Sequence, residues 1–198
     1  MKRLALLFAG LLLSTAVFAG TSNYVDVGYI TGGENGENGG PRQDGLEVAG
    51  SHAINDLWYV GGILGSYDRR ELATNDYLNV NGGTVRALTK QTDLIVEFGL
   101  WAGRQDPEIG SNTDPRSVEV KFGVNSRIGE KFSGFGTISL VAGDLDTPGN
   151  SSLQNFVWSA GGAYSFTKLF SVSLKVVKGS NGVNGQSDIA RLGARWTF

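Results

Sequence analysis

The sequence predicts an all-β protein, a closed antiparallel up-and-down transmembrane β-barrel of about ten strands. Three observations predict it. Apolar and polar residues alternate with period two in segments of about ten residues, which is the pattern of a β-strand with two different faces. The connections between these segments are alternately short and long. Aromatic residues lie near the segment ends, on the apolar set, where a membrane barrel carries its interfacial girdles.

The composition excludes several other classes of protein. The chain has 198 residues, with 30 glycines, four prolines, one histidine and no cysteine. The lack of cysteine excludes a disulfide scaffold, a zinc site built on thiolates and thiol catalysis. The net charge of −2 gives no electrostatic footprint for nucleic acid. The mean hydropathy of −0.09 is too low for a bundle of transmembrane helices.

The first nineteen residues have the organisation of a secretory signal peptide. Lys2 and Arg3 form a basic start, residues 4–17 are mostly apolar, and small residues precede a cleavage site. We expect cleavage between Ala19 and Gly20. Residues 1–19 are therefore predicted to be a signal peptide, and residues 20–198 the barrel domain.

Alternation is clearest in the segment from Val118 to Asn125, which places valine and phenylalanine on one face and Glu119 and Lys121 on the other. Paired glycines at 61–62 and 82–83 blur the alternation in the third and fourth segments. If two such weak segments folded over the rim, the barrel would have eight strands. The ten predicted segments are 23–31, 44–54, 57–68, 76–87, 93–104, 117–128, 132–142, 155–166, 170–178 and 188–198.

The lengths of the connections predict at which end of the barrel the two chain termini lie. Four are tight, at residues 55–56, 88–92, 129–131 and 167–169. Five are longer and rich in Gly, Asn, Asp, Ser and Pro, at residues 32–41, 69–75, 105–116, 143–154 and 179–187. Because short and long connections alternate, all long loops are predicted at one end of the barrel. Both termini fall at the short-turn end, which is periplasmic in an outer-membrane barrel, and the long loops are extracellular.

Alternation alone leaves open which face is outside. A soluble barrel of the lipocalin type places its apolar face inside, whereas a transmembrane barrel turns it to lipid. The loop asymmetry, the aromatic positions and the segment lengths favour the transmembrane barrel. Its lumen would then hold acids and bases in nearly equal numbers, because unpaired charges are costly in a confined space. The predicted lumen charges are Asp26, Glu47, Glu97, Glu119, Lys121, Arg127, Lys175, Arg191 and Arg195.

The last residues carry the most specific motif. Arg191, Gly193, Trp196 and the terminal Phe198 resemble the assembly signal of outer-membrane barrels, which has a polar residue, a glycine two later and two aromatics at the end. The resemblance implies a location in the outer membrane of a Gram-negative bacterium. It also implies that the barrel-assembly machinery is a partner during biogenesis.

The start of the mature chain, Asn23 to Tyr29, resembles the first strand of a group of small bacterial outer-membrane barrels. That group was first discussed as secreted immune activators and "sulfation-dependent quorum factors". Segments 45–64 and 78–94 are similar to it in spacing, and the likeness extends to Phe198. A more distant resemblance is to barrels of the OmpA and OmpX type. The resemblance implies the fold and brings no catalytic residues.

Three functions remain open. The first is a structural or surface-interaction role without enzymatic activity, with outer-membrane lipid and lipopolysaccharide as partners, because acids outnumber bases on the long-loop side and would share divalent cations with phosphates. The second is a narrow channel for ions or small solutes, since ten strands enclose more space than eight. The third is a hydrolase, for which the sole histidine, His52, falls on the lipid-facing set without a visible partner. We expect a monomer without cofactor, resident metal or catalytic residues.

Overall fold

The computed structural model describes residues 23–33, 42–69, 73–107, 112, 114, 116–144, 153–179 and 188–198. The predicted signal peptide lies outside these residues. Ten strands occur in chain order. They are β1 (Tyr24–Gly33), β2 (Arg42–Ala53), β3 (Trp58–Arg69), β4 (Ala73–Ala87), β5 (Thr92–Pro107), β6 (Arg116–Ile128), β7 (Phe132–Asp144), β8 (Leu153–Ser165), β9 (Phe170–Gly179) and β10 (Asp188–Thr197).

The strands form one closed barrel in which each pairs antiparallel with its chain neighbours. Closure is made by β1 and β10, whose register runs from Tyr24 opposite Thr197 to Gly33 opposite Asp188. The ten-stranded up-and-down barrel predicted from alternation is thereby confirmed. No helix in the described ranges is long and apolar enough to cross a membrane.

The side chains are distributed in the opposite way to those of a water-soluble protein. Large apolar residues such as Leu46, Phe98 and Leu140 are more than half exposed on the outside, whereas Asp26 and Asn79 are almost completely buried inside. The odd or even position of a residue along its strand, which we call its parity, explains this distribution, since consecutive residues of a strand point to opposite faces. The apolar coat suits a lipid environment, because an exposed apolar surface of this extent would be unfavourable in water.

The tight turns lie at the end of the barrel that carries both chain termini, and three of them are stabilised by the same kind of contact between a polar side chain and the backbone. The Asn55 side chain accepts hydrogen bonds of 2.9 Å from the backbone amides of Leu57 and Trp58. Thr89 and Thr167 accept in the same way from amides two and three residues later. Gly129, with φ of +83°, turns the chain between β6 and β7. Short polar side chains thus replace the hydrogen bonds that the strands no longer supply.

An aromatic row runs along the outside at this same end. Consecutive ring centroids lie 4.9 to 5.8 Å apart. The row comprises Phe132, Tyr164, Phe166, Phe170 and Trp196, which lie on β7, β8, the turn after β8, β9 and β10. This is the position and composition of an interfacial girdle.

Several predicted long connections are shorter in the structure, since residues 32–33, 105–107 and 153–154 belong to strands. The connection between β3 and β4 is the clearest case. Residues 69–75 were expected to form a long loop, but β3 and β4 remain paired out to Arg69 opposite Ala73. Thr74 also donates a 2.8 Å hydrogen bond to Asp68 across the pair. Polar residues that read as a loop therefore continue the hairpin, because strand pairing depends on the backbone and tolerates polar side chains on both faces. Of the other long connections, most residues lie outside the described ranges.

Candidate functional site: the polar interior

The interior is crossed by a layer of polar side chains that are each less than a tenth exposed. Seven of the ten strands contribute to it, so the layer extends around most of the circumference. We call these residues the interior polar layer: Asp26, Glu47, Asn79, Glu119, Ser139, Ser173 and Arg191. Since eight strands enclose a lumen just filled by side chains, a ten-stranded lumen needs long polar side chains to fill it.

A first group of charges, the seam cluster, lies where the barrel closes. Arg191 on β10 donates a hydrogen bond to Asp26 on β1, and its Nε lies 2.6 Å from Oε1 of Glu47 on β2. Arg195 donates a 3.0 Å hydrogen bond to the other oxygen of Asp26. The Arg195 guanidinium also lies 3.9 Å from the centroid of the Tyr24 ring. The seam cluster (Asp26, Glu47, Arg191 and Arg195) ties the last strand to the first two.

A second group, the wall cluster, lies on β5 and β6. Lys121 Nζ is 2.5 Å from Oε1 of Glu97, the residue opposite it in register, and 3.7 Å from Oε2 of Glu119. The indole of Trp101 donates a 2.8 Å hydrogen bond to Glu119. In the wall cluster (Glu97, Trp101, Glu119 and Lys121), one base thus faces two acids.

Two tyrosines each span a whole strand to reach a glutamate. Tyr77 on β4 lies over Gly65 of β3 and donates a 2.8 Å hydrogen bond to Glu47 on β2. Tyr59 on β3 lies over Gly83 of β4 and donates a 2.8 Å bond to Glu97 on β5. In both cases the glycine is the register neighbour of the tyrosine and of the glutamate.

Side chains in place of these glycines would collide with the phenol rings.

Arg191 of the seam cluster also extends over glycines of neighbouring positions. A Cβ added to Gly28 or Gly193 would overlap the guanidinium of Arg191. Gly28 lies opposite Glu47, so the missing side chain opens the passage that Arg191 takes from β10 to Glu47. Several interior glycines are therefore accounted for by packing, because each one leaves room for a long polar side chain from a neighbouring strand.

Most of the predicted lumen charges lie inside and face one another. Four acids and three bases, Lys121, Arg191 and Arg195, belong to the two clusters. Lys175 also lies on the inward face of β9, but no described carboxylate is within ion-pair distance of it.

Arg127 departs from the prediction. Its side chain is exposed at the short-turn rim and donates a 2.9 Å hydrogen bond to the Lys90 carbonyl. Arg127 has inward parity, but β6 extends there beyond the end of the barrel interior. Parity alone therefore predicted the wrong environment for this side chain.

The other predicted residues have clear positions. His52 lies on the outward face of β2, with the parity of Leu46 and Val48. Trp196 and Phe198 are exposed on the outside, whereas Arg191 and Gly193 point inward. The reading of these four residues as an assembly signal stays a prediction.

Sequence reasoning missed the uncharged members of the interior. Tyr59, Tyr77 and Trp101 were not singled out, nor were Asn79 and Asn81, which are joined by a 2.8 Å hydrogen bond. A signal existed, because these residues share the parity of the lumen charges. Tyr59 and Tyr77 also each have a glycine opposite them on the adjacent strand, although this becomes visible only when the register is known.

The arrangement favours electrostatic cross-linking over chemistry. Among the described residues there is no group of three or more His, Asp or Glu side chains that could hold a metal ion. Every interior acid accepts hydrogen bonds or ion pairs from a base or an aromatic donor. A general base needs a free lone pair directed at a substrate proton, and the interior acids are already engaged.

No protein-family model matches the chain, and no curated protein matches it by sequence. Solved structures match it by fold. An outer membrane channel from Pseudomonas putida F1 has a TM-score of 0.57 at 10% identity, covering 94% of this chain and 98% of that one. The β domain of the Bordetella autotransporter BrkA has a TM-score of 0.50 at 10% identity, covering 89% and 100%. A KdgM porin has a TM-score of 0.49 at 9% identity, covering 87% and 99%. The first two similarities show that the fold is that of outer-membrane β-barrels.

Proposed function

We propose that this protein is an integral outer-membrane barrel with a structural and surface-interaction role, without solute transport and without enzymatic activity. The observation that carries the proposal is the interior polar layer, which is joined to two clusters of charges and has side chains less than a tenth exposed. A lumen filled in this way resembles the inside of a structural barrel more than a water-filled pore.

The proposed location is the outer membrane, with the termini in the periplasm and the long loops outside the cell. The apolar coat and the aromatic row support an environment of lipid. The predicted signal peptide and the terminal motif ending in Phe198 support export and barrel assembly. The similarity of Asn23 to Tyr29 to the group of small barrels described above is retained as part of this proposal.

Two features support a role without catalysis. His52 points away from the interior acids, so the histidine and these acids are not placed to act on one substrate. The interior acids are bound to Arg191, Lys121 and the aromatic donors. These contacts stabilise the carboxylates and occupy the oxygens that a hydrolase would need.

Surface interaction is proposed for the long-loop end. Acidic side chains there, such as Asp68 and Asp76, would share divalent cations with the phosphates of lipopolysaccharide. The monomer would then act as a rigid scaffold in the membrane that holds its loops at the cell surface.

A deletion strain tests this role. It is complemented with the wild type, with a variant in which residues 145–152 and 180–187 are replaced by short glycine-serine turns, or with an empty vector. We expect the wild type to restore detergent resistance, surface adhesion and survival in serum. The shortened variant should assemble but restore only the detergent resistance, because its barrel is intact. If the deletion changes none of the three properties, the proposal is wrong.

A further inference from the structure

A groove of about 510 Å³ opens on the outside of the barrel near the short turns. Its lining is largely apolar, with one hydroxyl and one guanidinium. The lining residues are Leu57, Thr84, Arg86, Leu94 and Val96. Those on β4 and β5 have the outward parity of Val80, Phe98 and Leu100, so the groove faces the surroundings and not the lumen.

The groove arises from a step in the barrel rim. The pairing of β3 with β4 ends at Trp58 opposite Thr84, but β4 and β5 continue to Ala87 opposite Asp93. The shorter turn is held to the flank of the longer hairpin by a 2.9 Å hydrogen bond from the Val85 amide to the Leu57 carbonyl. A concavity remains in the angle between the two.

The groove also lies in a gap of the aromatic girdle. The aromatic row covers β7 to β10, and Trp58, which is 54% exposed, continues the girdle on β3. On β4 and β5 the outward residues at the level of Trp58 are Thr84 and Val96, which are in register with each other. Small side chains thus replace the rings that would otherwise fill this part of the interface.

Arg86 supplies the charge at the outer end of the groove. It lies two residues beyond Thr84, on the far side of the girdle from the apolar coat. Its side chain is exposed and forms no ion pair with any described residue. A guanidinium that has no ion-pair partner among the described residues, at headgroup level above an apolar concavity, is complementary to a phosphodiester with an attached acyl chain.

We propose that this groove binds one anionic glycerophospholipid of the periplasmic leaflet. The phosphate is held by Arg86, and one acyl chain lies against Leu94 and Val96. The inference rests on the proposed function, because it needs the short turns to face the periplasm.

Native mass spectrometry of the folded barrel with dimyristoyl-phosphatidylglycerol tests the proposal. We expect one tightly retained lipid on the wild type. Arg86→Gln should weaken its retention about fivefold, the effect of one basic side chain near a membrane surface. Val96→Trp should abolish retention by filling the groove. Arg127→Gln, which removes a rim arginine outside the groove, and Leu174→Trp, on the lipid face of β9, are the matched controls.

The outcomes separate this inference from the proposed function. Heat-modifiable migration first shows that each variant is a closed barrel. Equal retention by the wild type, Arg86→Gln and Val96→Trp would overturn the inference alone, as would equal losses in Arg86→Gln and Arg127→Gln. Displacement of the lipid by sn-glycerol 3-phosphate would also overturn it, because a free phosphate site needs no acyl chain. A wild type that fails to insert into vesicles would overturn the proposed function instead.

Discussion

Asp26 on the first strand and Arg195 on the last are joined by a 3.0 Å ion pair across the seam at which the barrel closes. The two residues face each other in register although 169 positions separate them in the chain. Arg191 adds a second contact to the same carboxylate. Because these contacts form only when β1 meets β10, the seam charges couple the stability of the interior to closure.

Replacing Asp26 by alanine should therefore destabilise the closed barrel strongly. Removal of one partner from a buried pair costs about 3–5 kcal/mol. We expect the lower end of this range, because Arg191 keeps its contact with Glu47 and the Arg195 side chain is 38% exposed. The matched control is Asp106→Ala, which breaks the exposed 2.9 Å pair with Arg104 and should change the stability little, because solvent screens this pair. Urea unfolding in phospholipid vesicles, followed by tryptophan fluorescence, measures both. Equal effects of the two substitutions would contradict the structural role of the seam.

Gly28→Ala should displace Arg191. An added Cβ overlaps the guanidinium, which would have to move away from Asp26 and Glu47, and we expect the loss of these contacts to cost about 1–3 kcal/mol. Gly50→Ala is the control, since a Cβ at this outward position of β2 meets only the Tyr24 carbonyl oxygen at 3.5 Å. We expect Gly50→Ala to leave the free energy of unfolding unchanged or to raise it slightly. The same urea titration compares them, and a Gly28→Ala barrel as stable as the control would exclude the packing explanation.

Tyr77→Phe removes the hydroxyl that binds Glu47 and keeps the ring over Gly65. A hydrogen bond to a charged group is worth about 1.5–3 kcal/mol, so a loss of that size is expected in the free energy of unfolding. Tyr164→Phe, in the aromatic row on the outside, should change it little. If both tyrosines respond alike, the strand-spanning bond to Glu47 does not stabilise the barrel.

Deletion of Phe198 should impair assembly more than stability. The residue is 44% exposed, and its backbone amide donates a 3.2 Å hydrogen bond to the Asn23 carbonyl beside the first strand. Leu192→Ala, which removes an exposed apolar side chain from the same strand, is the control. The measurement is the fraction of heat-modifiable barrel in outer-membrane preparations. A normal fraction after the deletion would contradict the assembly-signal reading of Arg191, Gly193, Trp196 and Phe198.

The fold could be predicted from the sequence because alternation is a local property. The pattern of a strand separates an apolar face from a polar face, as Val118 to Asn125 does without reference to any other strand. Register is not local, so the bridge from Tyr77 over Gly65 to Glu47 could not be derived. Strand ends are equally difficult, because Arg127 keeps its inward parity beyond the point where the interior ends. Residues 73–75, which were expected in a loop, are likewise paired strand, since backbone hydrogen bonds do not depend on side-chain polarity.

Single-channel recording in planar bilayers tests the closed interior most directly. The wild type is compared with a variant that replaces Asp26, Glu47, Arg191 and Arg195 by alanine. This variant removes the seam cluster without changing the net charge, and its closure is checked by heat-modifiable migration. We predict no conductance steps for the wild type and steady ohmic steps for the variant. Steady steps from the wild type, altered by Glu97→Ala or Arg191→Ala, would contradict the account and identify a narrow channel.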